Sequence, residues 1–127
     1  MADNLTNTAE NKMLDALVGT ASYSANTPIK LALVTAAGSD SAAGTEVSGG
    51  SYARQTITFN SAASGSIDNA SAVSFTNMPT CTVVGIELWD SAGTPVRLAY
   101  GSLTSSKSLT SGDTLEFAAG SITLSLS

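Results

Sequence analysis

The side chains that most often catalyse reactions are nearly absent from this sequence. Its 127 residues include no histidine and a single cysteine, Cys81. Histidine is the usual acid–base group near neutral pH, and without it the many serines have no base to activate them. A serine–lysine pair would need a buried lysine, for which Lys30 and Lys107 are weak candidates. Cys81 has no partner group nearby in the sequence, which is typical of an ordinary half-buried thiol. We therefore expect no enzymatic activity.

Roles in turns account for the positions of the acidic residues better than catalysis or metal binding does. Asp90, Asp113 and Glu116 could supply a catalytic pair, but each lies in a predicted turn or beside one. A calcium site is an alternative, since four acidic residues lie in or near loops: Asp40, Glu46, Asp68 and Asp90. They lack the Asp-x-Asp-x-Asp spacing of a calcium loop. One cysteine and no histidine exclude the familiar zinc patterns. We expect no metal and no cofactor.

Aromatic side chains with polar tips leave two interpretations open. Four of them are available: Tyr23, Tyr52, Trp89 and Tyr100. Sugars stack on exposed aromatic rings, and Trp89 lies beside the Asp90 turn, where a partner can reach a strand end. Such residues also commonly complete the rim of an apolar core.

The charge pattern argues against nucleic acid and membranes as partners. The net charge is −5, and the five basic residues are scattered: Lys12, Lys30, Arg54, Arg97 and Lys107. Binding to phosphates or to an anionic membrane needs a basic cluster. No stretch approaches the roughly 18 apolar residues of a membrane span, and residues 1–10 lack the basic start of a secretion signal. Charged residues make up only 12% of the chain, which suits either a surface that packs against neighbouring subunits or an inert β surface rich in serine and threonine.

The N-terminal part predicts an arm followed by one helix. Residues 1–7 are polar except Leu5 and are expected to form an arm that can reach an adjacent subunit. A helix is expected over 8–18, with Asn7 as its cap, Glu10 completing a capping box and Gly19 ending it. One apolar stripe contains Ala9, Met13, Ala16 and Leu17, widened by Leu14 and Val18. The stripe either covers one end of the β core or docks on a neighbouring subunit.

The rest of the chain has strand spacing. Expected strands are Ile29–Val34, Tyr52–Phe59, Ser66–Asp68, Ala72–Phe75, Thr82–Trp89, Val96–Leu103, Lys107–Thr110, Thr114–Ala118 and Ser121–Leu126. Residues 36–50 read as a long loop. Tight turns are expected at Asp90-Ser91-Ala92-Gly93, where glycine supplies the unusual backbone angle, and at Ser111-Gly112-Asp113. The fold class is therefore mainly β: an antiparallel β-sandwich or small barrel over 28–126, with one short N-terminal helix, in a single domain.

A second inference concerns the glycine-rich segment before the second strand. Glu46 and Arg54 bracket Gly49-Gly50, and their spacing predicts that they pair across the turn and fix the loop. The residues chosen as interface candidates are Leu5, Leu14, Glu46, Tyr52, Arg54, Trp89 and Tyr100.

Several motifs, taken in order, resemble a known protein family. They are Leu31–Thr35, Gly44–Gln55, Leu88–Asp90, Ala99–Thr104 and Ser111–Gly120. Together they are similar to a family of small virion structural proteins of tailed bacteriophages, of tail-fibre or decoration type. The most specific part is Gly-Thr-Glu-Val-Ser-Gly-Gly-Ser-Tyr-Ala-Arg, residues 44–54.

The resemblance implies a virion protein made in the host cytoplasm. A fibre needs reach, which a compact strand pattern does not provide, so we expect a capsid decoration (cement) protein. Its expected partners are further copies of itself, as a homotrimer, and the major capsid protein or another virion protein. The alternative is a tail-tip or tail-fibre adsorption component that binds a host surface glycan.

Overall fold

The computed structural model describes residues 5–126, which form one helix and nine strands. Helix α1 spans Asn7–Val18. The strands are β1 Lys30–Ala36, β2 Thr45–Glu46, β3 Gln55–Thr56, β4 Ser66–Asp68, β5 Val73–Met78, β6 Cys81–Trp89, β7 Arg97–Leu109, β8 Asp113–Phe117 and β9 Thr123–Ser125. The fold is mainly β with one short N-terminal helix, as predicted.

The main sheet is antiparallel, with strand order β2-β1-β6-β7 and with β3 also paired to β1. Two antiparallel two-stranded ribbons, β4–β9 and β5–β8, complete the β structure. The described strands do not close on themselves, so the small-barrel alternative is wrong.

One apolar cluster joins the main sheet to both ribbons. Leu31, Leu33 and Leu88 of the sheet belong to the same buried cluster as Phe75 of β5 and Ile122 beside β9. The cluster is mostly aliphatic, as the 6% aromatic content requires. Along β1, Leu31 and Leu33 alternate with Ala32 and Val34, so the leucine face of this strand enters the shared core.

The turn between β6 and β7 depends on its aspartate. The Asp90 carboxylate accepts hydrogen bonds from the backbone N–H groups of Val96 and Ala92, at 2.7 and 3.2 Å. Gly93 does not adopt a positive φ, so the expected role of this glycine is wrong. In the Ser111-Gly112-Asp113 turn, by contrast, Gly112 has a φ of 94°, and the Asp113 carboxylate accepts from the Thr110 N–H.

Three strand predictions need correction. The strand expected over Tyr52–Phe59 shortens to β3, because the chain turns away after Ile57 and Phe59 bridges to Asn69 instead. The strands expected at Val96–Leu103 and Lys107–Thr110 are one continuous β7, which bends at an irregularity opposite Val83 and Gly85. The loop expected over 36–50 contains β2, which pairs with β1.

The helix begins one residue earlier than predicted. Its cap is Thr6, whose hydroxyl accepts from the Ala9 N–H at 3.2 Å and donates to the Arg97 carbonyl at 2.9 Å. The predicted Asn7 cap is therefore wrong, and Glu10 lies one residue too far along for a capping box. Gly19, with a φ of 80°, ends the helix as predicted.

The structure describes residues 5–7 of the predicted N-terminal arm. Met1 to Asn4 lie outside the described residues. Leu5 is 5% exposed and bridges to Ala99, and the Thr6 N–H donates to the Leu98 carbonyl at 3.0 Å. Residues 5–7 therefore belong to the body of the fold, and for them the arm prediction is wrong.

Candidate interaction surface

Four of the predicted interface residues form one cluster on the main sheet. This cluster, hereafter the Glu46 cluster, consists of Glu46, Tyr52, Arg54 and Trp89. The Arg54 guanidinium donates two hydrogen bonds to the Glu46 carboxylate, Nη2 to Oε1 at 2.9 Å and Nε to Oε2 at 3.0 Å. The predicted pairing across the glycine turn is thus confirmed.

Short elements hold these side chains in place. Glu46 lies in β2, and Arg54 immediately precedes β3. Between them Gly49 and Gly50 both adopt positive φ, which reverses the chain within a few residues. The Tyr52 hydroxyl accepts from the Leu33 N–H at 3.0 Å and donates to Glu46 Oε2 at 2.6 Å, so it ties the loop to β1.

The electrostatics of the Glu46 cluster favour the charged pair. Burial by itself raises the pKa of the Glu46 carboxyl, but hydrogen bonds from Arg54 and Tyr52 outweigh burial and hold the pKa below its ordinary value. The hydrogen bond to Glu46 raises the pKa of the Arg54 guanidinium. Burial, then the bond to Glu46, raises the pKa of the Tyr52 hydroxyl well above its ordinary value. The pair is therefore ionised at neutral pH.

Trp89 is covered by a cation on one face. The Arg54 guanidinium lies 4.1 Å from the ring centroid, within the range of a cation–π interaction. The indole Nε1 is enclosed and has no hydrogen-bond partner within the described chain. Tyr52 in turn stacks on Phe75, with ring centroids 6.0 Å apart. Both rings therefore use one face inside the protein, which favours their role as the rim of the core over that of open sugar platforms.

A second cluster lies beside the first on the same sheet. This Glu87 cluster consists of Glu87 and Arg97 with the loop residues Ser39, Asp40 and Gly44. Glu87 Oε2 lies 3.4 Å from Arg97 Nη1, and the two side chains are only 2% and 8% exposed. The Gly44 N–H donates to the same Glu87 oxygen at 2.8 Å, and Arg97 donates to the Ser39 carbonyl.

Tyr100 joins the Glu87 cluster from its outer side. Its hydroxyl donates to the Asp40 carboxylate, and the Arg97 guanidinium lies 5.3 Å from its ring. The bond to Asp40 raises the pKa of the Tyr100 hydroxyl. Because Trp89 and Arg97 are direct partners in the β6–β7 register, the two clusters form one continuous polar face, hereafter the polar sheet face.

Sequence reasoning missed the Glu87–Arg97 pair. Glu87 is the one charged residue of β6, and that charge in an otherwise apolar strand was the only sign of the pair in the sequence. Its neighbours on the same face of the strand, Gly85 and Trp89, are buried and half-buried, respectively. Loop 37–44 supplies the cover. A Cβ added to Gly38 would lie 2.9 Å from the Glu87 carboxylate, so glycine lets the loop approach closely.

The remaining candidates lie apart from one another. Leu5 is buried in the core cluster, so it does not present an open surface to a neighbour, whereas Leu14 is 60% exposed on α1. The four acidic residues considered for calcium each have a different partner: Tyr100 for Asp40, Arg54 for Glu46, Asn60 for Asp68 and the turn N–H groups for Asp90.

Reactive groups do not converge in the part of the chain that the structure describes. No three His, Cys, Asp or Glu side chains of residues 5–126 lie close enough together to hold a metal ion. Burial raises the pKa of the Cys81 thiol, which keeps it protonated. The prediction that the protein is not an enzyme stays a prediction. No helix within 5–126 has the length and apolar character needed to span a membrane.

Comparison with known proteins gives one match. Residues 4–125 match the family model described as Podophage GP4 fiber I protein gp80. The search of curated proteins finds no match. The match covers nearly the whole chain, including both clusters and helix α1. The chain therefore belongs to the podophage GP4 fiber I protein gp80 family, a family of tailed-phage virion structural proteins.

Proposed function

We propose that this protein is a capsid decoration protein that binds the outside of the major capsid shell and stabilises it. The observation that carries the proposal is the absence of reach. The longest elements that the structure describes are the 13-residue β7, whose register against β6 is irregular at two points, and the 12-residue α1. A helix of that length spans about 18 Å, whereas a fibre works by extending far from its attachment point.

The polar sheet face is the surface we assign to the shell. It presents Glu46, Arg54 and Tyr100, held in place by the hydrogen bonds described above. Ordered polar and aromatic side chains lose little entropy on binding, which favours a specific contact. Each copy would bridge neighbouring shell subunits, and contacts repeated over many copies would resist internal pressure. A closed cyclic assembly of identical copies suits this role.

The second candidate is a tail-fibre or tail-tip component that binds a host surface glycan. The printed name of the family, fiber I protein, favours it. Against its glycan part, Trp89 and Tyr52 already have one ring face occupied by Arg54 and Phe75, respectively.

Copy number separates the two candidates. Quantitative mass spectrometry of purified virions, calibrated on the major capsid protein, would give the number of copies per particle. We expect hundreds of copies for a decoration protein. A handful of copies would instead support the fibre or tail-tip component, and absence from purified particles would contradict both.

A further inference from the structure

Helix α1 contacts the rest of the protein mainly through its first turn and through Lys12, whose amine lies 5.5 Å from the centre of the Tyr23 ring. Ala9 is its one buried residue, and residues 11–20 are all exposed. The exposed fractions are 36% for Met13, 60% for Leu14, 81% for Leu17 and 73% for Val18. The apolar stripe predicted from the sequence therefore exists, but most of it faces away from the protein's own core.

The exposed apolar side chains are concentrated in one place. Among residues 5–126, the large hydrophobic residues that are exposed are the four of α1 and Leu126, at 49%. Leu126 and the helix residues Met13, Leu14 and Leu17 line an open groove of about 470 Å³. We name this combination of helix ridge and groove the α1 patch. Of the three charged residues of α1, Glu10 alone borders the groove.

The helix needs a cover to be stable. It has 12 residues, and an isolated helix of that length is marginal in water. Helices of globular proteins gain most of their stability by packing an amphipathic face, whereas Leu14, Leu17 and Val18 of α1 are 60–81% exposed.

The size of the patch fits a second copy of the chain. The exposed fractions add up to about three whole side chains, or on the order of 500 Å² of open surface, at the upper end of what monomers expose. Two copies that cover each other would bury about 1,000 Å² from these residues alone, near the lower limit of a specific interface. The flanking polar residues of both helices would add to that area.

The patch provides both parts of a reciprocal contact. Leu14 and Leu17 line one side of the groove and form a ridge with Val18, so the ridge of one copy can enter the groove of another while the reverse contact forms. By helical spacing, Lys12 falls on the opposite side of α1, away from the contact, and Asp15 lies at the margin of the patch beside Val18. We propose that the α1 patch is the surface through which copies of this chain associate with one another.

The proposal assigns a second copy of the chain as the partner of the α1 patch. It rests on the proposed function only for the statement that this association takes place in the virion. Purified protein tests it directly, without virions. Analytical ultracentrifugation over roughly micromolar to hundred-micromolar concentrations should show the wild type associating above its monomer mass of 12.7 kDa. Leu17→Asp should raise the dissociation constant by about tenfold or more, because it buries a charge in the contact.

A matched control introduces the same charge elsewhere. Ser106→Asp places it on an exposed position of β7, and this variant should associate like the wild type. Circular dichroism should show that the strand signal of Leu17→Asp is kept. If that variant fails to fold, Leu17→Gln serves in its place, with the same weakening expected.

Three outcomes would overturn the proposal. The first is a wild type that stays monomeric over the whole range. The second is a folded Leu17 variant that associates as strongly as the wild type. The third is a monomer that binds phosphatidylcholine vesicles or emptied phage shells through the patch, which would make lipid or shell protein the occupant. None of these outcomes affects the number of copies per virion, which is the test of the proposed function. The two proposals can therefore fail separately.

Discussion

At the scale of single residues, Arg54 connects three parts of the fold. It binds the carboxylate of Glu46 in β2, covers the ring of Trp89 at the end of β6 and precedes β3. The bidentate geometry and the stacking both depend on a planar guanidinium, so a lysine at this position would not reproduce them. Arg54 and Tyr52 therefore both attach the loop that contains the glycine turn to the main sheet.

The Glu46–Arg54 pair should make stability depend on acid. The folded protein holds the pKa of Glu46 below the ordinary value of 4.5, so the stabilisation is complete above that pH and is lost as the pH falls through the lower folded-state pKa. Asp90, whose turn hydrogen bonds lower its pKa in the same way despite the opposing effect of burial, adds to the dependence. Thermal melts from pH 7 to pH 3 should therefore show a falling melting temperature at the acid end.

Glu46→Gln should reduce this acid dependence. At pH 7 it should lower the free energy of unfolding by about 1 kcal/mol, because the pair is partly exposed. Glu116→Gln is the control, since Glu116 is exposed and bonds only to Ser74 among the contacts seen. Identical pH profiles for Glu46→Gln and the wild type would exclude the pair as a source of stability.

The buried pair should matter much more. Glu87→Ala leaves the Arg97 guanidinium buried without its carboxylate, which costs about 3 kcal/mol or more. Urea unfolding followed by tryptophan fluorescence would measure it, with Glu116→Ala expected to change stability by less than about 0.5 kcal/mol. A Glu87→Ala protein as stable as the control would show that the Glu87 cluster does not hold loop 37–44 in place.

The two ion pairs were not equally predictable. Glu46 and Arg54 are eight residues apart and bracket a glycine turn, so local geometry brings them together. Glu87 and Arg97 lie in different strands, and their contact depends on the register of β6 and β7 and on the loop that folds over them. No local pattern contains that register, because an irregularity between Leu88 and Trp89 shifts it by one residue.

At the scale of elements, the apolar periodicity predicted that α1 is a helix, but it did not predict what the apolar side of the helix faces. The apolar spacing of α1 is correct, but spacing alone does not distinguish a face turned to the protein's own core from one turned outward. The strand predictions were wrong where contacts between distant parts of the chain determine which residues pair. After Ile57 the chain pairs with the region of Asn69, and β7 continues through a polar stretch that has little intrinsic preference for strand.

Because β6 and β7 lie close together, substitution by alanine should have different effects on stability at Gly85 and at Gly93. A Cβ at Gly85 would lie 2.6 Å from the Gly101 carbonyl oxygen and 3.2 Å from Val34, so Gly85→Ala should cost about 2 kcal/mol. A Cβ at Gly93 would meet no side chain or backbone atom beyond its chain neighbours within 4 Å, and Gly93 has no positive φ, so Gly93→Ala should be neutral or slightly stabilising. Equal effects of the two substitutions in urea unfolding would contradict the close approach.

At the scale of the whole molecule, strand spacing predicted the class of fold, and the resemblance of several motifs predicted the class of function. The structure is mainly β, and the family match shows a tailed-phage virion structural protein, as predicted. What composition could not provide is which surface meets which partner. Charge-poor surfaces resemble one another in sequence, and only the fold separates the polar sheet face from the α1 patch.

A decoration protein should protect its shell. Purified protein added to particles that lack it should raise the temperature at which they release DNA, because each bound copy stabilises the intact shell by mass action. Release can be followed with a DNA-binding dye during heating, with albumin as the control. An unchanged release temperature at saturating protein would exclude a cementing role.

The pairing of Leu5 and Thr6 with β7 has a consequence for the outermost strand of the main sheet. Strand β7 has β6 on one side, and at Leu98 and Ala99 the N-terminal residues occupy the other. An uncovered strand edge recruits further strands and leads to fibrils. Trimming the chain before Asn7 would uncover that edge, so shortened forms should precipitate where the full-length protein stays in solution.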